Sequence, residues 1–270
     1  MANSPIDAVI LGLVEGITEF LPVSSTGHLI VAQKALGFKD PTETYEIVIQ
    51  TAAILAVVWY YRFDLLRQIR ELPSSRPVQN LFWSVIIGFL PAAVIGFLFG
   101  NWVTDNLFSP LLVAITLILG GIVIWVVESM KLPVVVHQLE EIRGRDALMI
   151  GLLQCIAIIP GVSRSLASIF GGMFLGLDRK TAAQFSFYLG IPTLIGAGVL
   201  KLARNRDAIS QFGALNLGIG MVVAFVSALL AVTWLLRYIS SHDFRGFAIY
   251  RVAAGGVILL LIAVGFLPAR

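Results

Sequence analysis

Ala147-Leu-Met-Ile150-Gly-Leu-Leu-Gln-Cys155-Ile-Ala-Ile-Ile-Pro160-Gly-Val-Ser-Arg-Ser165-Leu-Ala-Ser-Ile-Phe170-Gly-Gly-Met-Phe-Leu175-Gly-Leu177 is apolar enough for a bilayer but is broken in its middle. A crossing helix needs about 20 consecutive apolar residues. Pro160 cannot continue a helical hydrogen-bond ladder, and Arg164, the one charge in the run, is costly in hydrocarbon unless it meets an anion. The stretch is therefore expected to enter the membrane and turn back. A second such region, 8–33, holds Glu15, Glu19 and a break at Pro22. The two match without gaps at an offset of 139 residues: Asp7-Ala8 on Asp146-Ala147, Gly12-Leu13 on Gly151-Leu152, Ile17 on Ile156, Val23-Ser24 on Val162-Ser163, Ile30 on Ile169, Leu36-Gly37 on Leu175-Gly176. Glu15 falls on Gln154. Matching of this kind between two long segments implies two homologous halves.

The rest of the chain fits a membrane protein. Its 270 residues are 58% hydrophobic and 13% charged, with a mean hydropathy of +0.90, whereas a soluble domain carries about 25% charged residues. A soluble enzyme and a disordered chain are both excluded. The net charge of +3 does not indicate nucleic acid, because the 19 Lys and Arg sit mostly between apolar segments, as topogenic charges do. A single cysteine, Cys155, excludes an intramolecular disulfide and a multi-cysteine metal site, and is read as inert packing. Residues 1–7 lack the basic start of a cleaved signal peptide, so the N-terminus is expected to be retained. Five stretches free of Asp, Glu, Lys and Arg are long enough to cross: 77–104, 106–127, 181–200, 208–236 and 252–269; a sixth, 47–61, lengthens if Glu46 enters the membrane.

The expected fold is thus an all-α integral membrane protein with six transmembrane helices plus two re-entrant helical hairpins in inverted-topology repeats. It forms one membrane domain over 1–270, with repeats at 1–130 and 140–270. Three crossings per half put the second half in from the opposite face, a known membrane design. With the N-terminus outside, eleven basic residues fall on the inner side and six (Lys34, Lys39, Lys201, Arg204, Arg206, Arg270) on the outer, the orientation that the positive-inside rule favours.

Chemistry concentrates at the two breaks. Glu15 and Glu19 are four apart and share a helix face; within a membrane they call for a proton, a divalent cation or a positive side chain, and otherwise sit near the headgroups. Pro22-Val-Ser-Ser-Thr-Gly-His28 follows, with Ser24 placed to cap a new helix whose free N–H groups attract anions. Ser25 and His28 are three apart, so imidazole can take the hydroxyl proton or itself attack. Pro160 to Ser168 repeats the break with Ser163 as cap and Arg164 suited to phosphate, unless that arginine snorkels. Converging near the midplane, the two breaks would assemble carboxylates, serine, histidine, arginine and two helix N-termini, the equipment of phosphoryl transfer. No P-loop or nucleotide fingerprint is present, which speaks against a free nucleotide, and a site sunk in lipid favours a substrate that already lives there, a phosphorylated lipid. Glu46 and Gln50 share a face and either support the pocket or mark a helix start. Arg251 is read as an interfacial anchor and Glu128 as solvated.

These motifs resemble the bacterial undecaprenyl pyrophosphate phosphatases, also called bacitracin-resistance proteins. Glu15-Gly-Ile-Thr-Glu19 running into Pro22–His28 is similar to that family's first signature, and Pro160-Gly-Val-Ser-Arg-Ser165 to its second, with Ser168 where Thr is usual. The resemblance covers essentially the whole chain. It implies hydrolysis of undecaprenyl diphosphate to undecaprenyl phosphate, recycling the lipid carrier of peptidoglycan synthesis and conferring bacitracin resistance. It also implies a bacterial inner-membrane location with the site facing the periplasm, a divalent cation (Mg²⁺ or Ca²⁺), a polyprenyl diphosphate partner and no nucleic acid; a homodimer is left open. Glu15 and Glu19 would bind metal or act as base, Arg164 would hold diphosphate, and Ser24, Thr26, Ser163, Ser165 and Ser168 would line the phosphate pocket. Ser25 is the expected nucleophile with His28 as acid/base partner, the reverse assignment remaining open. The competing reading is an inverted-repeat transporter or lipid flippase.

Overall fold

The computed structural model describes residues 4–40, 43–204 and 212–269. Arg206 and Arg270, counted above on the outer side, and residues 208–211 of the expected span 208–236 lie outside the described residues. Those described form a helical multi-pass membrane protein without strands, the one extended contact being a bridge between Val136 and Leu177.

The broken regions become pairs of short helices. In the first, α1 (Pro5–Thr18) leads through a break to α2 (Ser25–Leu36); in the second, α7 (Gly144–Gln154) and a 3₁₀ turn at Cys155–Ile158 lead to α8 (Arg164–Phe174). These helices run 14, 12, 11 and 11 residues. At about 1.5 Å per residue none spans the ~30 Å hydrocarbon core. Ser4 and Asp7 close a capping box on α1 with Pro5 in its first turn, the sequence chemistry of a firm helix start.

Five helices are long and apolar enough to cross. They are α5 (Arg76–Leu107), α6 (Pro110–Ser129), α9 (Arg179–Arg204), α10 (Ala214–Tyr238) and α11 (Arg245–Ala263). A sixth forms only if α3 (Thr44–Tyr60) and α4 (Arg62–Glu71), bent by 67°, count as one. The sequence reading stopped at residue 61 and did not foresee α4, whose alternating charges hide it from a hydropathy count. The last span begins at Arg245 rather than 252, so Arg251 is inside the helix and fully buried, not an interfacial anchor.

The packing obeys the 139-residue offset. α1 lies along α10 as α7 lies along α5, α3 packs on α10 as α9 packs on α5, and α6 runs against α11. Gly12 and its counterpart Gly151 both mark close crossings: an added Cβ would come within 2.7 Å of the Gly220 carbonyl in one and 2.9 Å of the Gly88 carbonyl carbon in the other. Small residues permit such backbone approach where lipid supplies no hydrophobic drive. At the other end of α6, Glu128 is buried and not solvated. It accepts two bonds from Arg179 (3.0 and 2.5 Å) and one from the Phe244 amide (3.0 Å), tying α6, α9 and the start of α11 together.

Candidate active site

The breaks, residues 19–24 and 159–163, meet at one cavity of about 340 Å³. Each ends on a serine with positive φ: Ser24 at 70° and Ser163 at 79°, with ψ of 104° and 119°. A residue with a Cβ adopts this backbone only when its surroundings over-determine it, at about 1–3 kcal/mol. Both serines precede a helix. The Ser24 side chain makes no capping bond, which leaves the first-turn amides of α2 open to an anion, while Ser163 Oγ accepts from the Leu166 amide.

Glu19 sits at the centre. Its Oε1 accepts from Arg164 Nη2 at 3.1 Å, and its Oε2 accepts from Ser25 Oγ at 2.8 Å and Gln50 Nε2 at 3.2 Å. One carboxylate thus joins α1, α2, α3 and α8. Arg164, with 11% of its side chain exposed, also donates to the Ser186 carbonyl at 2.9 Å and lies 5.9 Å from the centroid of the Phe20 ring. Its Nε–H is buried without a partner. A hydroxyl hydrogen-bonded to a carboxylate that is itself oriented by a third group is the arrangement of an activated nucleophile.

Ser24, Ser25, Thr26, Ser163, Glu19 and Arg164 all line the cavity. Ser165 and Ser168 do not, contrary to the sequence expectation: both are buried behind it. Ser165 Oγ donates to the Leu21 carbonyl at 2.9 Å, stitching one break to the other, and Ser168 Oγ donates to Ser186 Oγ at 2.7 Å. His28 is also differently engaged. Nδ1 lies 2.8 Å from the Ser24 carbonyl and Nε2 lies 2.6 Å from the Tyr250 hydroxyl. A carbonyl only accepts, so Nδ1 carries the proton and Nε2 of the neutral ring accepts from Tyr250. The Ser25 hydroxyl therefore pairs with Glu19 and not with His28: three-residue spacing puts them on one face, but the kinked cap turns Ser25 back toward α1.

Comparison with known proteins agrees with the motifs. The family described as bacitracin resistance protein BacA matches residues 8–257. The chain belongs to that family. An undecaprenyl-diphosphatase of Deinococcus deserti is 49% identical over 263 residues, covering 96% of this chain and 95% of that protein. Another, of Verminephrobacter eiseniae, is 46% identical over 265 residues, covering 97% of each.

Four groups in this BacA-family site escaped the sequence reading. Glu43 lines the cavity and pairs with Lys201 at 3.4 Å; Ser186 and Tyr250 hold Arg164, Ser168 and His28 as described above, and Arg251 donates to the Pro22, Gly161 and Val162 carbonyls of the two breaks. Only Arg251 left a signal, as a lone charge in the run 246–269, the same anomaly that drew attention to Arg164. Gln50 reaches Glu19, whereas Glu46 does not line the cavity.

The donor set bears on a metal. No group of three or more His, Cys, Asp or Glu arranged for an ion occurs among the described residues. Glu15, however, is fully buried with both carboxylate oxygens unpartnered, one turn before Glu19. A buried carboxylate in that state calls for a proton or cation. Mg²⁺ is commonly held by one or two carboxylates plus substrate phosphates and water; Glu19 lines the cavity and could supply one such ligand, whereas Glu15 is sealed behind it.

Proposed function

We propose that this protein hydrolyses undecaprenyl diphosphate to undecaprenyl phosphate and inorganic phosphate. The observation that carries the reading is the Ser25 hydroxyl held on Glu19, whose other oxygen is clamped by Arg164 from the second half of the chain. In this mechanism Ser25 Oγ attacks the terminal phosphorus, its proton passes to Glu19 and from there to the oxygen of the departing polyprenyl monophosphate, which leaves Glu19 ionised again. Glu19 then deprotonates water, whose attack breaks the Ser25 Oγ–phosphorus bond and releases phosphate as the proton returns to Ser25 Oγ. Arg164 turns its free Nε–H to the diphosphate, and the amides at the α2 and α8 starts stabilise the charge that develops in transfer. The contacts support serine attack, since both ring nitrogens of His28 are engaged and leave that side chain to hold the Ser24 carbonyl.

A divalent cation, Mg²⁺ or Ca²⁺, is proposed at Glu19, where it supplies charge neutralisation to the diphosphate. The two broken regions are proposed as re-entrant hairpins of inverted repeats at 1–130 and 140–270, an idea supported by short helices and matched pairings at the 139-residue offset. The site opens to the periplasmic side of a bacterial inner membrane, in keeping with the distribution of basic residues. A homodimer would leave this site intact, since its residues all come from one chain. A transporter or flippase needs no nucleophile with a base, so the contacts favour hydrolysis. Purified protein given undecaprenyl diphosphate and Mg²⁺ should release phosphate, and Arg164→Ala should abolish release. Substrate crossing proteoliposomes without phosphate release would contradict the proposal.

A further inference from the structure

Arg251 is wholly buried in α11 and heads the largest fully buried side chains of the described residues. No carboxylate lies within ion-pair distance of it among those residues. Its donors go instead to five backbone carbonyls: Nη1 to Pro22 at 3.1 Å, Nη2 to Gly161 at 2.9 Å, Val162 at 3.2 Å and Thr116 at 3.2 Å, and Nε to Leu117 at 3.2 Å. Pro22 belongs to one break, Gly161 and Val162 to the other, and Thr116 and Leu117 to α6. The Thr116 hydroxyl adds a bond to the Pro160 carbonyl at 2.8 Å. A buried guanidinium is expensive, and one that touches both breaks without lining the cavity calls for a purpose.

We propose that Arg251 is a positioning residue for phosphoryl transfer: it pins the carbonyl sides of both breaks so that their amides are presented to the diphosphate. The inference rests on the phosphatase reading above. In a trans peptide the N–H points opposite to the preceding C=O, and no cis bond occurs among the described residues. Fixing the Val162 carbonyl therefore directs the Ser163 amide away from Arg251, and Ser163 lines the cavity. Fixing Pro22 holds the tight turn in which the Val23 amide donates to the Leu21 carbonyl at 2.7 Å, immediately before Ser24. Arg251 thus holds the carbonyl immediately before Ser163 and the one two residues before Ser24, the two serines with positive φ. Its charge, balanced only by carbonyl dipoles, adds attraction for an anion.

Two variants test this. Arg251→Lys keeps a cation but replaces a planar fork with a single ammonium that cannot span both breaks. Gly120→Ala leaves Arg251 in place, but its Cβ would come 2.7 Å from Cζ and 2.9 Å from Nε, so the guanidinium must shift; alanine favours the α6 helix and keeps this arm informative if the first variant does not fold. In folded, monodisperse protein both should lower kcat by about 100-fold, the scale of losing a preorganised donor, with KM changed less than about threefold. Amide exchange should accelerate together in segments 19–26 and 159–166 and stay unchanged in α3 and α10. A kcat within about threefold of wild type, or exchange that stays slow in either segment, overturns the inference. Wild-type protein that releases no phosphate would instead sink the phosphatase reading itself.

Discussion

Glu19→Gln is the sharpest perturbation of the site, because it keeps shape and removes one function. The carboxylate accepts from Arg164, Ser25 and Gln50 at 3.1, 2.8 and 3.2 Å. An amide oxygen can still receive Arg164, but the amide nitrogen then faces two donors and takes no proton from Ser25. Losing a positioned general base costs about 10²–10⁴-fold in rate, or about 3–5 kcal/mol of transition-state stabilisation. Uncoupling Arg164, a nearly buried cation, lowers stability as well, since stripping a buried pair of one partner costs up to about 3–5 kcal/mol. The assay is therefore phosphate release from undecaprenyl diphosphate, normalised to folded protein by size-exclusion profile and Tm. The expected result is a kcat at least about 100-fold down in folded enzyme, with Glu19→Asp intermediate. A folded Glu19→Gln enzyme within tenfold of wild type would refute the serine–carboxylate dyad.

Other substitutions probe the surroundings. Gly190→Ala places a Cβ 2.8 Å from Arg164 Nη1 and should raise KM by about tenfold through a displaced guanidinium; an unchanged KM in steady-state kinetics would free Arg164 of a substrate role. His28→Asn retains an N–H donor for the Ser24 carbonyl and should keep kcat within about tenfold of wild type, while its total loss at normal Tm would assign the imidazole a chemical step. Glu128→Gln removes a carboxylate from two Arg179 contacts and the Phe244 amide. It should cost about 1–3 kcal/mol of stability, visible as a lower Tm in detergent, with KM unaltered; a changed KM would connect this remote clasp to the site.

Much of the fold was legible because lipid forces a simple code. Charge-free runs located α5, α6 and α9 to within about four residues and the C-terminal end of α10 to within two, and proline beside serine or glycine marked both breaks. The code failed where charge sits inside a helix. Arg251 was read as a boundary because arginine in hydrocarbon is costly, yet five carbonyls compensate it in the folded chain. Helix α4 was invisible to a hydropathy count because its polar residues dilute the apolar ones. At the site, the residue types were legible and their pairings were not. Helical spacing joins Ser25 to His28, but the positive φ at Ser24 reorients the first turn and delivers Ser25 to Glu19, a contact made across the break. Likewise Ser165 and Ser168 share a motif with Arg164, and only their contacts in the fold, Ser165 with the Leu21 carbonyl of the first break and Ser168 with Ser186 on α9, show that they brace the pocket from behind.

The most direct test follows the transferred phosphoryl group. Wild-type protein mixed with terminally radiolabelled undecaprenyl diphosphate and quenched within one turnover should carry an acid-stable phosphoserine at Ser25, and Ser25→Ala should yield neither label nor free phosphate. Label recovered on His28, or phosphate release that survives Ser25→Ala, would contradict the account.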